Sequence, residues 1–504
     1  MSPILVFSVI AAYFSLLILI SYFTSRKSNT ETFFTGNKQS PWFLVAFGMI
    51  GASLSGVTFI SVPGEVGNSN FAYFQMVIGY LLGYFVIATV LLPIYYKLNL
   101  VSIYTYLEKR FGFYSYKTGS IFFLISRVIG ASFRLFLVAT VLQLAFFDNF
   151  GIPFSVTVIV TILLIWVYTN KAGIKTIVWT DTLQTSFMLL AVIISVILIG
   201  KDLNLSFTEI VSEIKNSTHS TIFDWNWKSG TNFFKQFIGG AFIAIAMTGL
   251  DQDMMQKNLT CRNIKDAQKN MFWFSITLLP VNFLFLSLGV LLYTYVSKMG
   301  ISFESLNGFI FNEETARYLQ TDKLYPSLAI NNFSIIAGIT FLLGIIAAAF
   351  SSADSALTAL TTSFTVDILG IDVTKESKET QKKKRLIHLG FSFLIFIVIL
   401  IFKIINDDSV INMVFKVAGY TYGPLLGLFT FGLFTKRKII DKFVPIIAVL
   451  SPILTFVINY YSEAIFFGYK FGFELLLVNG FIMFLGLYLL SIKSLVNRNV
   501  DFKL

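Results

Sequence analysis

The stretch from Ala347 to Asp367 reads AAAFSSADSALTALTTSFTVD and continues the apolar run IIAGITFLLGII. It carries Ser351, Ser352, Asp354, Ser355, Thr358, Thr361 and Thr362 within what is otherwise a membrane helix. At the helical repeat Ser351, Ser355, Thr358 and Thr362 fall on one face, with Asp354 beside them. A carboxylate inside a bilayer is costly unless it faces a wet or charged interior, so it marks an ion or substrate path. Hydroxyl oxygens next to a carboxylate are the ligands a small hard cation takes when it sheds water. A packing seam of Ser, Thr and Ala between helices would explain the hydroxyls, but it has no need of Asp354.

Arg127 and Arg134 share one face of the apolar run SIFFLISRVIGASFRLFLVATVLQ. A guanidinium does not usefully deprotonate. In mid-span it needs an anion, and its planar fork suits bidentate carboxylate binding. Arg127 lies nearer the inner edge, where it can snorkel. Arg134 is deeper and is the better substrate anchor; its structural alternative is a salt bridge to Asp181, Asp251 or Asp354. Asp181, in VWTDTLQTS, lies near the cytoplasmic start of its helix, where a capping role competes with ion binding. Lys235 sits near the outer end of a span and is placed to snorkel. Cys261 is the single cysteine, and the two histidines, His219 and His388, lie in a loop and at a span edge. No Cys/His metal spacing, nucleophile motif or phosphate loop is present, which argues against an enzyme.

Two spans read as broken. GMIGASLSGVTFISVPG (48–64) interleaves Gly and Pro with Ser53, Ser55, Thr58 and Ser61. GGAFIAIAMTGLDQDMMQ (239–256) carries Gly249 and then Asp251, Gln252 and Asp253. Unwound backbone is tolerated at membrane depth only where it lines a cavity. It frees carbonyl oxygens for cations, while half-helix N-termini favour anionic groups. The two breaks open successive sets of five spans. Five is odd, so the two sets must be inverted relative to each other.

These residues need an all-α membrane scaffold to hold them. Mean hydropathy is +0.76, with 56% hydrophobic and 13% charged residues. Spans of roughly 20 apolar residues are expected at 4–23, 42–64, 71–95, 119–146, 153–169, 177–200, 232–255, 271–297, 332–364, 386–405, 409–434, 440–460 and 471–492. The first lacks a basic lead and a clear cleavage site, so it reads as a helix rather than a signal peptide. No stretch between spans is long enough for a separate soluble domain. The net charge of +11 does not point to nucleic acid. Lys and Arg concentrate in alternate loops and acidic residues in the others, which sets the N-terminus outside and the C-terminus in the cytoplasm. The basic run KESKETQKKKR (375–385) is then a solvated cytoplasmic loop near anionic lipid.

At this point the chain resembles the sodium/solute symporters, whose members carry sugars, sialic acid, proline, pantothenate, iodide or monocarboxylates. The resemblance runs through GASLSGVTFISVPGEV, LLPIYYKLNLVSIYTYLEKRFG, TDTLQ, GLDQDMMQKNLTCRNIKDAQ, AAAFSSADSALTALTTSFTVDIL and GYTYGPLLGLFTFGLF, in that order. It implies a leucine-transporter-like five-plus-five inverted repeat in about thirteen transmembrane helices. One helix (4–23) precedes the first repeat (42–200). The inverted second repeat (231–438) is followed by two helices (439–492). It implies Na+ as the coupling ion, a small-molecule substrate, and a monomer sufficient for transport in the inner or plasma membrane.

The resemblance also assigns residues. One sodium is implied at the carbonyls of Gly51, Leu54 and Ala348 and the hydroxyls of Ser351 and Ser352. A second, found in some members, would take Asp181, Asp354 and Ser355; Asp354 departs from the hydroxyl usual there. That carboxylate would strengthen the site, make it proton-sensitive, or abolish it by bridging to Arg134. The implied substrate residues are Ser53, Ser55, Thr58, Phe71, Gln75, Arg134 and Asp251. Arg134 falls close to a carboxylate-binding arginine of a sialic acid transporter, which favours an organic anion such as sialic acid. A proton-coupled or uncoupled carrier of the same fold, or sodium symport of a neutral sugar or small anion, is the alternative.

Overall fold

The computed structural model describes residues 3–25, 36–100, 102–169, 174–302, 305–306, 309–314, 317–371, 378–405 and 409–492. The apolar runs form helices α1 (Pro3–Ser25), α2 (Trp42–Ser69), α3 (Tyr73–Val86), α4 (Phe113–Ala145), α5 (Phe154–Thr169), α6 (Ile174–Asp202) and α7 (Phe233–Ala244). They continue as α8 (Gln252–Asn258), α9 (Ile264–Lys298), α10 (Ile335–Ser363), α11 (Lys378–Ile405), α12 (Val410–Thr421), α13 (Gly423–Phe434), α14 (Val444–Tyr460) and α15 (Leu475–Leu489). Among the described residues nine helices are long and apolar enough to cross a membrane. Two bent pairs pass the same test together, α7 with α8 at 72° and α12 with α13 at 47°, and α5 and α15 supply shorter apolar helices.

The helix ends differ from expectation where charge extends a helix beyond the apolar run. Of the basic run at 375–385, residues 375–377 lie outside the described residues, and the rest begins α11 instead of a loop. Glu379 and Lys383 pair at 2.7 Å, one turn apart, a spacing that supports an exposed helical end.

Close backbone approach decides which helices meet. A Cβ on Gly240 of α7 would stand 2.2 Å from the Met76 carbonyl oxygen of α3. A Cβ on Gly289 of α9 would stand 2.6 Å from the Pro63 carbonyl oxygen of α2. Thus α2 packs on α9 while α7 packs on α3, so each broken helix takes a partner from the other half of the chain. Lipid gives no hydrophobic drive between helices, and small residues at such crossings let dispersion hold them. Phe59 of α2 adds an aromatic cluster, with ring centroids 6.0 Å from Phe285 of α9 and 5.5 Å from Tyr325. Each such pair is worth about 0.5–1.5 kcal/mol beyond area burial.

On one side of the bundle the α9–α10 connection forms a two-stranded hairpin, β1 (Ile310–Asn312) and β2 (Arg317–Leu319). It is stitched to the end of α2. Asn68 donates to the Tyr318 carbonyl at 3.0 Å and accepts from the Tyr318 N–H at 2.8 Å. Glu65 accepts from Thr321 and from Asn412 of α12, each at 3.3 Å.

Candidate functional site

The first break falls at Ser55, whose backbone has φ 52° and ψ 179° inside α2. That region is nearly reserved for glycine and costs of order 1–3 kcal/mol. The Ser55 hydroxyl accepts from the Val57 N–H at 3.3 Å, which caps the following half-helix. The second break lies between α7 and α8. A π turn at Ile245–Gly249 ends α7, and Asp251 then caps α8, accepting from the Asp253 and Met254 N–H groups at 2.9 and 3.2 Å.

Between the two breaks lies a small cavity of about 70 Å³. Its polar lining is Ser53, Ser55 and Thr58 of α2, Tyr73, Tyr80 and Tyr84 of α3, Arg127 and Arg134 of α4, Thr248, and Asn282 of α9. The hydroxyls of Tyr73 and Tyr80 are 3.4 Å apart. Tyr73, Tyr80, Tyr84, Thr248 and Asn282 were not singled out in the sequence. The tyrosines were detectable, since positions 73, 80 and 84 share one helical face.

The two arginines differ sharply. Arg127 is buried and does not snorkel to the inner edge. It pairs with Asp253 and lies 3.7 Å from Asp251. Asp251 also accepts from the Tyr422 hydroxyl at 2.6 Å. Arg134 makes no ion pair with a carboxylate among the described residues, and its buried Nη1 has no hydrogen-bond partner there. The Asn282 amide donates to the Leu278 carbonyl, leaving its Oδ1 without a donor among the described residues. The cavity therefore presents one uncompensated cation and one open acceptor, ringed by hydroxyls. That arrangement suits a monoanion bearing hydroxyl groups.

Three residues implied for the substrate lie apart from this lining. Gln75 donates to the Ala72 and Thr231 carbonyls and accepts from the Asp224 N–H. Phe71 packs against Phe283 at 5.8 Å. Asp251 spends one oxygen on the α8 cap and the other on Tyr422 and Arg127.

The residues implied for the first sodium lie on α2 and α10, which approach each other closely at Gly56. Gly51 and Leu54 immediately precede the Ser55 break, and a Cβ on Gly56 would stand 3.9 Å from Ala349 Cα. Ser351 and Ser352 are fully buried. Ser352 donates to the Ala348 carbonyl at 3.2 Å, and Ser351 donates to Asp181 Oδ1 at 2.6 Å. Gly51 is tied to the same cluster, its N–H donating at 3.1 Å to Thr185, which in turn donates to the Asp181 carbonyl at 2.8 Å.

Asp181 is a network member rather than an interfacial cap. Its Oδ2 takes the ammonium of Lys257 of α8 at 2.7 Å. Ser355 donates to the Ser351 carbonyl at 3.0 Å and to Asp253 at 3.2 Å. Asp354 is fully buried in α10, within electrostatic reach of Tyr13 of α1. Lys257 escaped the sequence reading because its span was expected to end at residue 255. Lys235 donates to the Lys470 carbonyl at 2.8 Å, so a loop holds its ammonium.

Residues 33–439 match the model of the sodium:solute symporter family. The chain belongs to that family, a family of sodium-coupled transporters. It is 26% identical over 484 residues to the sodium/sialic acid symporter SiaT of Proteus mirabilis, covering 92% of this chain and 91% of that one. It is 25% identical over 433 residues to the sodium/sialic acid symporter NanT of Aliivibrio fischeri, covering 82% and 80%. Among solved structures, a substrate-bound, outward-open Na+-coupled sialic acid symporter superposes with a TM-score of 0.77 at 20% identity, covering 97% of this chain and 99% of that one. The fold is thus that of a membrane symporter.

Proposed function

We propose that this protein is a sodium-coupled importer of a carboxylate-bearing, hydroxylated organic solute, with sialic acid as the first substrate to test. The observation that carries the reading is Arg134, a buried cation in the cavity whose Nη1 has no partner among the described residues. The naming of two relatives as sodium/sialic acid symporters supports the same substrate class. Ser53, Ser55 and Thr58 then contact the solute beside Arg134, while Arg127, already neutralised, holds α8 in place.

Sodium binds where the α2 break meets α10, on the carbonyls of Gly51, Leu54 and Ala348 and the hydroxyls of Ser351 and Ser352. Its binding holds α2 and α10 together and favours the outward-facing state. Solute then docks and closes the outer gate, and inward opening loosens the sodium shell. The driving force is the sodium gradient plus the membrane potential, the latter worth about 2.3 kcal/mol per charge per 100 mV. Coupling rests on a difference in affinity between the two states.

The architecture that serves this cycle is thirteen spans. Helix 4–23 precedes inverted repeats 42–200 and 231–438, and two helices in 439–492 follow. The N-terminus is outside and the C-terminus cytoplasmic, and one chain suffices for transport, with neither catalysis nor nucleic acid involved. The exchange of partners between α2–α9 and α3–α7 supports the inverted repeat. The test is uptake of labelled sialic acid into proteoliposomes with and without an inward sodium gradient. Sodium-dependent accumulation is expected. Accumulation that ignores sodium and follows a proton gradient would move the coupling to protons.

A further inference from the structure

The residues implied for a second sodium raise a conflict that the structure resolves. Both oxygens of Asp181 are already engaged, Oδ2 by the Lys257 ammonium at 2.7 Å and Oδ1 by the Ser351 hydroxyl at 2.6 Å. Lys257 is 1% exposed and Asp181 is fully buried. The Ser355 hydroxyl is directed to the Ser351 carbonyl and to Asp253. A sodium ion entering on Asp181 would displace Lys257 and strand a buried ammonium without its anion. Breaking a buried pair in that way is strongly destabilising. The ammonium is also tethered to α8, so it loses no translational freedom on binding, whereas a free ion does.

We infer that Lys257 is a built-in cation occupying the second sodium position, so that this transporter binds one sodium rather than two. The inference rests on the sodium-symport reading above and adds its stoichiometry. It also gives Lys257 a second role. Ser351 uses its proton on Asp181, which leaves its oxygen lone pairs free for the first sodium. Lys257 fixes Asp181, and Asp181 fixes Ser351. The second broken helix is thereby linked to the sodium shell of the first without contributing a ligand to it.

Labelled sodium alone is the probe, bound to the purified full-length protein and counted per molecule at saturation. The wild type is expected to bind one ion. K257M is expected to bind two, with the sodium dependence turning from hyperbolic to sigmoid. Two ions on the wild type would overturn the inference, and so would K257M that still binds one. No saturable sodium binding on the wild type would instead sink the symport reading itself. Should K257M fail to fold, the wild-type count decides, backed by accumulation of labelled sialic acid at zero membrane potential. One coupled sodium sustains about a tenfold solute ratio on a tenfold sodium gradient, and two sustain about a hundredfold ratio.

Discussion

Arg127 and Arg134 share a helix face and a residue type, yet their surroundings give them different work. Arg127 is held between Asp253 and Asp251, so R127A leaves two buried carboxylates without their cation. We expect it to cost about 3–5 kcal/mol, read as a large fall in melting temperature and little recovered protein. Arg134 has no such partner among the described residues. R134Q is therefore expected to fold at near wild-type yield while losing uptake of carboxylate substrates by at least about tenfold, the effect of some 1.4 kcal/mol. Poor folding of R134Q would show that the arginine serves structure instead. S351A removes both the hydroxyl proposed as a sodium ligand and the proton given to Asp181. It is expected to raise the sodium concentration for half-maximal uptake, and an unchanged sodium dependence would count against this site.

At the scale of elements, α2 is two half-helices with separate attachments. The half before Ser55 is tied to α6 through Gly51 and Thr185. The half after it is tied to the hairpin and to α12 through Asn68 and Glu65. Asn68 serves the Tyr318 backbone as donor and acceptor at once, so N68A frees both groups, each lost bond costing about 1–3 kcal/mol where the group stays buried. We expect faster hydrogen exchange over residues 310–319 with only a small change in global melting. If the hairpin exchanges at the wild-type rate, this attachment does not hold it. The same division explains the strain at Ser55: the break persists because packing on either side fixes both halves.

At the scale of the whole molecule, Cys261 offers a reporter of the folded state. It is the single cysteine of the chain, fully buried beside the end of α8, and burial pushes its thiol up to about 12. A thiol is reactive as its thiolate. The native protein is expected to resist a maleimide dye at neutral pH and to label only on unfolding, which supplies the melting curves for the variants above. Rapid labelling without heat would mean that the loop after α8 opens in the native state. The network that such curves probe spans the bundle: Lys257 on α8, Asp181 on α6, Ser351 and Ser355 on α10, and Arg127 on α4. A loss anywhere along it is expected to propagate, because buried polar groups left half-satisfied are more costly than none.

What the sequence determined by itself was everything carried by local pattern. Apolar runs of bilayer length gave the helices, Gly and polar residues in mid-span gave both breaks, and the 351–362 spacing gave the hydroxyl face. Those features depend on neighbours a few residues away, which periodicity and propensity record. Tertiary structure decided the partners. Asp253 and Lys257 stand one turn apart and read as a pair on a single helix, yet the fold sends Asp253 to Arg127 and Lys257 to Asp181. Gln75 lies on α3 beside the tyrosines and Phe71 just before it, but their side chains turn toward the α6–α7 loop and α9. A charged group buried in a membrane protein must find its counter-charge wherever packing brings one, and that choice spans the chain.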